Sequence, residues 1–204
     1  MPEILRLGDD VESYAAALEA AREALLAGEV ALLPSEGLYG LHAEAFAAGA
    51  VARLRAIKQD PAPRPFILLV GTLEHALALV DDLPGSAASL MREAWPGPLT
   101  LLLPAREIVP PALCAEGRVA LRCPGTRFLR ELALTLPAPI LSTSANRAGQ
   151  PAPASLEACD PAVIAACEIV IDGGPLAGVG STLARPERDG SLTVLRAGLW
   201  QPPA

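Results

Sequence analysis

Hydroxyl side chains and arginines gather where short apolar runs end. Pro34-Ser35-Glu36-Gly37-Leu38-Tyr39-Gly40 follows Leu33, and Ser142-Thr143-Ser144-Ala145-Asn146-Arg147-Ala148-Gly149 follows Leu141. Asp172-Gly173-Gly174-Pro175 and then Gly178-Val179-Gly180-Ser181-Thr182 follow Ile171, while Arg122 and Arg196 close runs of their own. Small hydroxyl residues let backbone and side-chain donors approach an anion closely, and arginine forks neutralise it. This is chemistry for holding a phosphate or a carboxylate. Each segment alone also reads as an ordinary turn, because Ser, Asn and Gly dominate turns. Lys58 is the only lysine among sixteen basic side chains, and a lysine is a compact point charge suited to phosphate.

Other chemistries find no support. No G-x-x-x-x-G-K-[ST] loop leads to Lys58, no G-x-G-x-x-G follows a strand, and there is no G-x-S-x-G. A Ser-x-x-Lys dyad is ruled out because position 55 is Arg. A histidine-based triad would need His42 or His75, and His75 falls in an apolar helical pattern where a packing role is expected. Cys114, Cys123, Cys159 and Cys167 form no C-x-x-C pair, so buried, reduced thiols are expected and neither a zinc site nor a disulfide framework.

The elements that must position these residues alternate. Val11, Tyr14, Leu18, Ala21 and Leu25 recur at helical spacing, predicting a helix over 10–27 that Gly28 ends. Further helices are expected over 47–57, from Thr72, over 85–94 and over 126–134. Apolar runs predict strands at 29–33, 66–70, 99–103, 119–122, 139–142, 169–172 and 192–196. Strands alternating with helices give an α/β class. Residues 99–103 and 119–122 lack a helix between them, so the sheet is expected to mix parallel and antiparallel strands. The 204 residues carry 51% hydrophobic side chains, enough for one packed domain. A net charge of −7 disfavours broad attachment to nucleic acid or anionic membrane. Yet four basic residues lie between Arg53 and Arg64 and four between Arg118 and Arg130, enough for one local basic cleft. No secretory signal or membrane-length apolar stretch is evident, so a cytoplasmic protein without membrane contact is expected.

In order along the chain, the segments resemble the YrdC-like family of threonylcarbamoyl-adenylate synthases. Pro34-Ser35-Glu36-Gly37-Leu38-Tyr39-Gly40-Leu41 is similar to P-T-x-T-V-Y-G-L, and Ile57-Lys58-Gln59 to the start of I-K-x-R-P. Trp95-Pro96-Gly97-Pro98-Leu99-Thr100 matches W-P-G-P-L-T, and Val119-Ala120-Leu121-Arg122-Cys123-Pro124 resembles V-A-V-R-x-P. Ser142-Thr143-Ser144-Ala145-Asn146 with Gly149 matches S-A-N-x-S-G, and Ser181-Thr182 and Leu195-Arg196-Ala197-Gly198 resemble the closing S-T and L-R-x-G.

The resemblance covers about residues 15–200 and implies a single YrdC-like domain over 1–204, without the extra C-terminal domain of longer members. It implies a twisted mixed sheet with flanking helices and a concave basic cleft. That cleft would take ATP with Mg2+, L-threonine and bicarbonate or carbon dioxide, and make threonylcarbamoyl-AMP and pyrophosphate. The product would serve t6A formation at tRNA adenosine 37 through t6A-pathway transferase proteins. By the same match, Ser35, Arg122, Ser142 and Ser181 hold threonine or its carbamate. Lys58, Ser144, Asn146 and Arg196 contact the nucleotide, with Arg118 nearby.

Asp60 stands where the motif has its phosphate-facing arginine. Near a triphosphate that exchange costs about 2–4 kcal/mol, and Arg64 is the expected replacement. Gly37 for the second threonine is expected to loosen the loop, and Ala148 and Ala152 stand where serine is frequent. Two alternatives stay open: a non-catalytic paralogue that binds nucleotide or double-stranded RNA, and a carbamoyl-handling relative of the YrdC-type domain in hydrogenase-maturation proteins.

Overall fold

The apolar runs become strands and the amphipathic stretches become helices, in the order that places the polar run-ends side by side. The computed structural model describes residues 2–60 and 66–202. The strands are β1 (Glu3–Arg6), β2 (Ala31–Pro34), β3 (Tyr39–Glu44), β4 (Ile67–Leu69), β5 (Leu99–Pro104), β6 (Arg118–Arg122), β7 (Ile140–Ser144), β8 (Ile169–Asp172), β9 (Thr182–Pro186) and β10 (Leu192–Arg196). The helices are α1 (Val11–Leu26), α2 (Ala50–Lys58), α3 (Leu73–Leu77), α4 (Gly85–Ala94), α5 (Arg127–Leu134) and α6 (Pro161–Ala165).

The strands form one ten-stranded sheet in the order β1-β8-β2-β3-β7-β4-β6-β5-β9-β10. It is mixed, as expected. Strands β5 and β6 pair antiparallel with only one 3₁₀ turn, Pro111–Leu113, between them, whereas β4 with β6 and β5 with β9 pair parallel. Strands β1, β3 and β9 were not expected from the sequence.

Side chains alternate across the sheet, so neighbours such as Leu32 and Leu33 enter different cores. On one face, Leu32, Leu41, Leu68, Leu121 and Leu141 pack with Leu54 of α2, Met91 of α4 and Val163 of α6. On the other, Leu33, Leu69, Ile140 and Ile171 pack beneath α1 and α5, the latter supplying Phe128, Leu129 and Leu132. Helix α1 starts at Asp10, whose carboxylate accepts from the Ser13 amide at 2.8 Å. Its buried face is Ala17, Ala21, Ala24 and Leu25, rotated from the expected stripe, and Val11 is left exposed. Small alanines let the helix lie close on the sheet. Among the described residues no helix is long and apolar enough to cross a membrane.

Candidate functional site

Helices α1 and α5 cover only part of their face, and the uncovered part is floored by small side chains. Cross-strand register sets His42, Ser142, Ile67, Ala120 and Leu102 in one row across β3, β7, β4, β6 and β5. Ser142 and Ala120 fill little of the space above the sheet, as do Gly40 and Ser144 in the neighbouring pair. A cavity of about 520 Å³ results, within the range of roughly 300–1,000 Å³ that suits small-molecule ligands. Arg55, Lys58, Arg122 and Arg196 line it, against the carboxylates Glu36 and Asp60. The protein is acidic overall, but among the described residues four cations to two anions make this cavity locally positive.

The most tightly built corner surrounds Arg122, at the end of β6. Its guanidinium pairs with Glu36 at 3.1 Å and donates to the Ser35 hydroxyl at 3.0 Å. Ser35 donates in turn to Glu36 at 2.6 Å, and the Gly125 amide donates to the other Glu36 oxygen at 2.6 Å. Burial alone would push the Glu36 carboxyl up. The Arg122 charge, with the bonds from Ser35 and Gly125, outweighs it and holds the group below the usual carboxylate range. Burial lowers the Arg122 pKa, with Glu36 opposing it.

The Trp95–Thr100 segment supports this corner from behind. Trp95 Nε1 donates to the Leu99 carbonyl at 2.6 Å, and the Gly97 amide donates to the Cys123 carbonyl at 2.9 Å, next to the turn that carries Gly125. Gly37 does not loosen its loop, contrary to the sequence expectation. Its carbonyl accepts from the Gly178 amide at 2.8 Å, and a Cβ there would lie 1.9 Å from the Val179 carbonyl oxygen. The close approach of the 178–179 segment requires glycine.

Across the cavity, Arg196 grips Ser181. It donates to the Ser181 carbonyl at 2.9 Å and to the hydroxyl at 3.2 Å, while that hydroxyl sits 2.8 Å from the Thr100 hydroxyl. Gly198 lets the chain after β10 close onto this strand, since a Cβ there would lie 2.3 Å from the Gly180 carbonyl oxygen. Burial, followed by the charge of Arg122, lowers the Arg196 pKa. Arg196 therefore senses the Arg122 charge across the cavity, from a more exposed position than that of Arg122.

Lys58, the last residue of α2, is buried and bridges two loop carbonyls. Its Nζ donates to Ser144 O at 2.6 Å and to Asn146 O at 2.7 Å. Asn146 ties the loop back through its Nδ2, which donates to the Gln150 carbonyl at 2.6 Å. Within the floor row, His42 is wholly buried, its Nδ1 3.0 Å from the Gly40 carbonyl and its Nε2 without a hydrogen-bond partner among the described residues. Burial first, then the Arg122 charge, pushes its pKa down to about 3, so the ring is neutral with its proton on Nδ1.

Ser35, Lys58, Arg122, Ser142, Ser144, Asn146, Ser181 and Arg196 thus come together around one cavity, as the sequence placed them. Arg118 does not join them. It begins β6, opposite Pro104, and its charge helps hold down the carboxyl of Glu187, which is lowered chiefly by hydrogen bonds from Thr193 and Arg185. Four residues of strand at about 3.3 Å each separate it from Arg122 by about 13 Å. Arg64 lies outside the described residues. His75 is exposed on α3 rather than packed, while Cys123, Cys159 and Cys167 are buried free thiols as expected.

Sequence reasoning gave no role to Glu36, Arg55, Thr100 or His42. Their roles follow from contacts across the sheet; only Thr100 carried a signal, as the last residue of its motif. No group of three or more His, Cys, Asp or Glu side chains among the described residues could cage a metal ion. A magnesium ion that arrives on a phosphate chain would keep several waters and need few protein ligands, so this donor set would not bar it.

A family model for Sua5, YciO and YrdC, described as "Telomere recombination", matches residues 23–198. A threonylcarbamoyl-AMP synthase of Pyrococcus abyssi is 35% identical over 158 residues, which are 76% of this chain and 46% of the relative. One from Stutzerimonas stutzeri is 37% identical over 127 residues, 62% of this chain and 68% of the relative. The fold is similar to that of P. abyssi Sua5 complexed with L-threonine, with a TM-score of 0.81 at 32% identity over 97% of this chain and 57% of that one. The chain spans about half the length of the P. abyssi proteins it matches.

Proposed function

The chain belongs to the Sua5–YciO–YrdC family, and from that premise we propose that it is an L-threonylcarbamoyladenylate synthase. The observation that carries this reading is the placement of Arg122, buried at the end of β6, and Arg196, whose guanidinium senses the Arg122 charge, around one cavity of small-molecule size. Like charges gathered around one cavity favour an anion between them. Threonine, its carbamate and a nucleotide triphosphate supply such anions. Relatives named threonylcarbamoyl-AMP synthase, and a similar protein solved with L-threonine, make these the favoured ligands.

The residues fit the reaction's needs. The threonine amine loses a proton and joins carbon dioxide as a carbamate. A carbamate oxygen then bonds to the α-phosphorus of ATP as the bond to the β-phosphate oxygen breaks, releasing pyrophosphate. No covalent enzyme intermediate is required, so the protein's task is positioning and charge neutralisation. Arg122 with Ser35, and Ser181 held by Arg196, would receive the carboxylate and carbamate, with Ser142 on the floor between them. Lys58, Ser144 and Asn146 would set the nucleotide side of the cavity, and magnesium would offset the phosphate charge. The adenylate would pass to a transferase that modifies tRNA.

Asp60 lines the same cavity and favours the second reading, a paralogue that binds nucleotide without adenylating. The cavity volume favours a small molecule over double-stranded RNA in either case. The test supplies ATP, magnesium, L-threonine and ¹³C-bicarbonate and follows the products by mass spectrometry. Threonylcarbamoyl-AMP carrying the label is expected. ATP bound without any labelled adenylate would overturn the reading in favour of the paralogue.

A further inference from the structure

Among the described residues, Arg55 is the one cation lining the cavity with no sequence motif behind it. It stands three residues before Lys58, near the end of α2, and lines the same cavity. Residues at that spacing lie on one helix face. Its guanidinium lies over the ring of the buried Phe66, 6.0 Å from the centroid. Its Nε is buried and has no hydrogen-bond partner among the described residues. Lys58 donates to two loop carbonyls, Arg122 is engaged by Glu36 and Ser35, and Arg196 by Ser181. Arg55 rests instead on an aromatic face, which steadies the fork without consuming its donors.

A buried donor without an acceptor is costly, and an anion that enters the cavity would relieve that cost. A planar fork with a fixed positive charge matches phosphate oxygens in particular. The Asp60 amide donates to the Arg55 carbonyl at 3.2 Å, so the two residues adjoin at the end of α2. A phosphate chain beside Lys58 meets the Asp60 carboxylate there, and Arg55 is the neighbouring charge that offsets it.

We propose that Arg55, held over Phe66, binds the phosphate chain of the nucleotide beside Lys58. The proposal rests on the nucleotide-binding reading above and names the residue that takes the place left by Asp60. The phosphate chain is favoured over threonine because Arg122 and Arg196 already converge on the other side chains that receive a carboxylate.

The test is calorimetric titration of the whole chain with ATP and magnesium, and separately with L-threonine, for wild type, Arg55→Ala, Arg55→Lys and Phe66→Leu. Thermal melts check folding. Loss of one charge-assisted bond predicts ATP binding about 10- to 100-fold weaker in Arg55→Ala, with threonine binding unchanged. Arg55→Lys recovers part of the loss, and Phe66→Leu weakens ATP by a smaller factor because the fork loses its shelf. Unchanged ATP affinity in folded Arg55→Ala overturns the proposal and leaves the synthase reading standing. A wild-type protein that binds no ATP overturns both. If Arg55→Ala does not fold, Arg55→Lys decides: ATP affinity equal to wild type would count against a fork-specific contact, and a drop would support it.

Discussion

Removing Glu36 should destabilise the protein far more than removing a surface acid. Its partner Arg122 has a side chain only 6% exposed and Glu36 itself only 12%, with 3.1 Å between them. An exposed pair contributes about 0–1 kcal/mol, but breaking a buried one strands a charge and costs about 3–5 kcal/mol. Glu36→Ala leaves the Arg122 guanidinium buried with only the Ser35 hydroxyl and leaves the Gly125 amide without its acceptor. Arg122→Ala strands Glu36 instead. The double variant strands neither, so its loss should fall short of the sum of the single losses by about 2 kcal/mol or more. Urea denaturation of the four proteins at pH 7 gives the cycle. The folded pKa of Glu36 lies below its ordinary value. Its stabilisation is therefore present at neutral pH and is lost as the pH falls through that lowered pKa. Single losses that add within about 0.5 kcal/mol would refute the reasoning, because the corner would then not be one coupled unit.

Further outcomes follow from the same geometry. Ala120→Leu directs its added bulk into the cavity rather than the core, so it should change stability by less than about 1 kcal/mol against the about 1–3 kcal/mol of core overpacking, while abolishing ligand binding; a large stability loss in the denaturation curve would contradict the floor assignment. His42 has a folded pKa of about 3, below its unfolded value, so unfolding takes up a proton between about pH 6.5 and pH 3 and stability falls with pH there. From pH 6.5 to 5 this group alone should cost about 1.6 kcal/mol, and His42→Leu should lack that portion; equal acid sensitivity of the two proteins by urea titration would contradict it. Lys58→Met removes the bridge to the Ser144 and Asn146 carbonyls and should cost about 1–3 kcal/mol, with faster hydrogen exchange in 144–150; unchanged exchange would deny Lys58 its bracing role.

Where local pattern and tertiary demand agreed, the sequence was easy to read. Leu192–Arg196, Ile169–Asp172 and Gly85–Ala94 occupy the residues their patterns predict. Strand β3 escaped notice although Tyr39, Leu41 and Ala43 alternate with Gly40, His42 and Glu44. The polar members of that alternation face the cleft and its edge, and they read as loop residues. Strand β9 was obscured by Arg185 and Pro186 near the sheet margin. The motif residues of the site were legible because polar groups at strand ends share one rim in such sheets. Glu36 and Arg55 were not, since a carboxylate gains meaning only from an arginine 86 residues away in the chain, and an arginine only from the ring beneath it. Arg118 misled because nearness in sequence to Arg122 is distance along a strand.

If the positive cavity joins threonine, carbon dioxide and ATP, pyrophosphate release measured with ATP, magnesium and bicarbonate depends on added L-threonine. That release is lost in Arg122→Ala wherever the variant remains folded. Release that ignores threonine, or none at all from a protein that binds ATP, means that the cavity does not join the three.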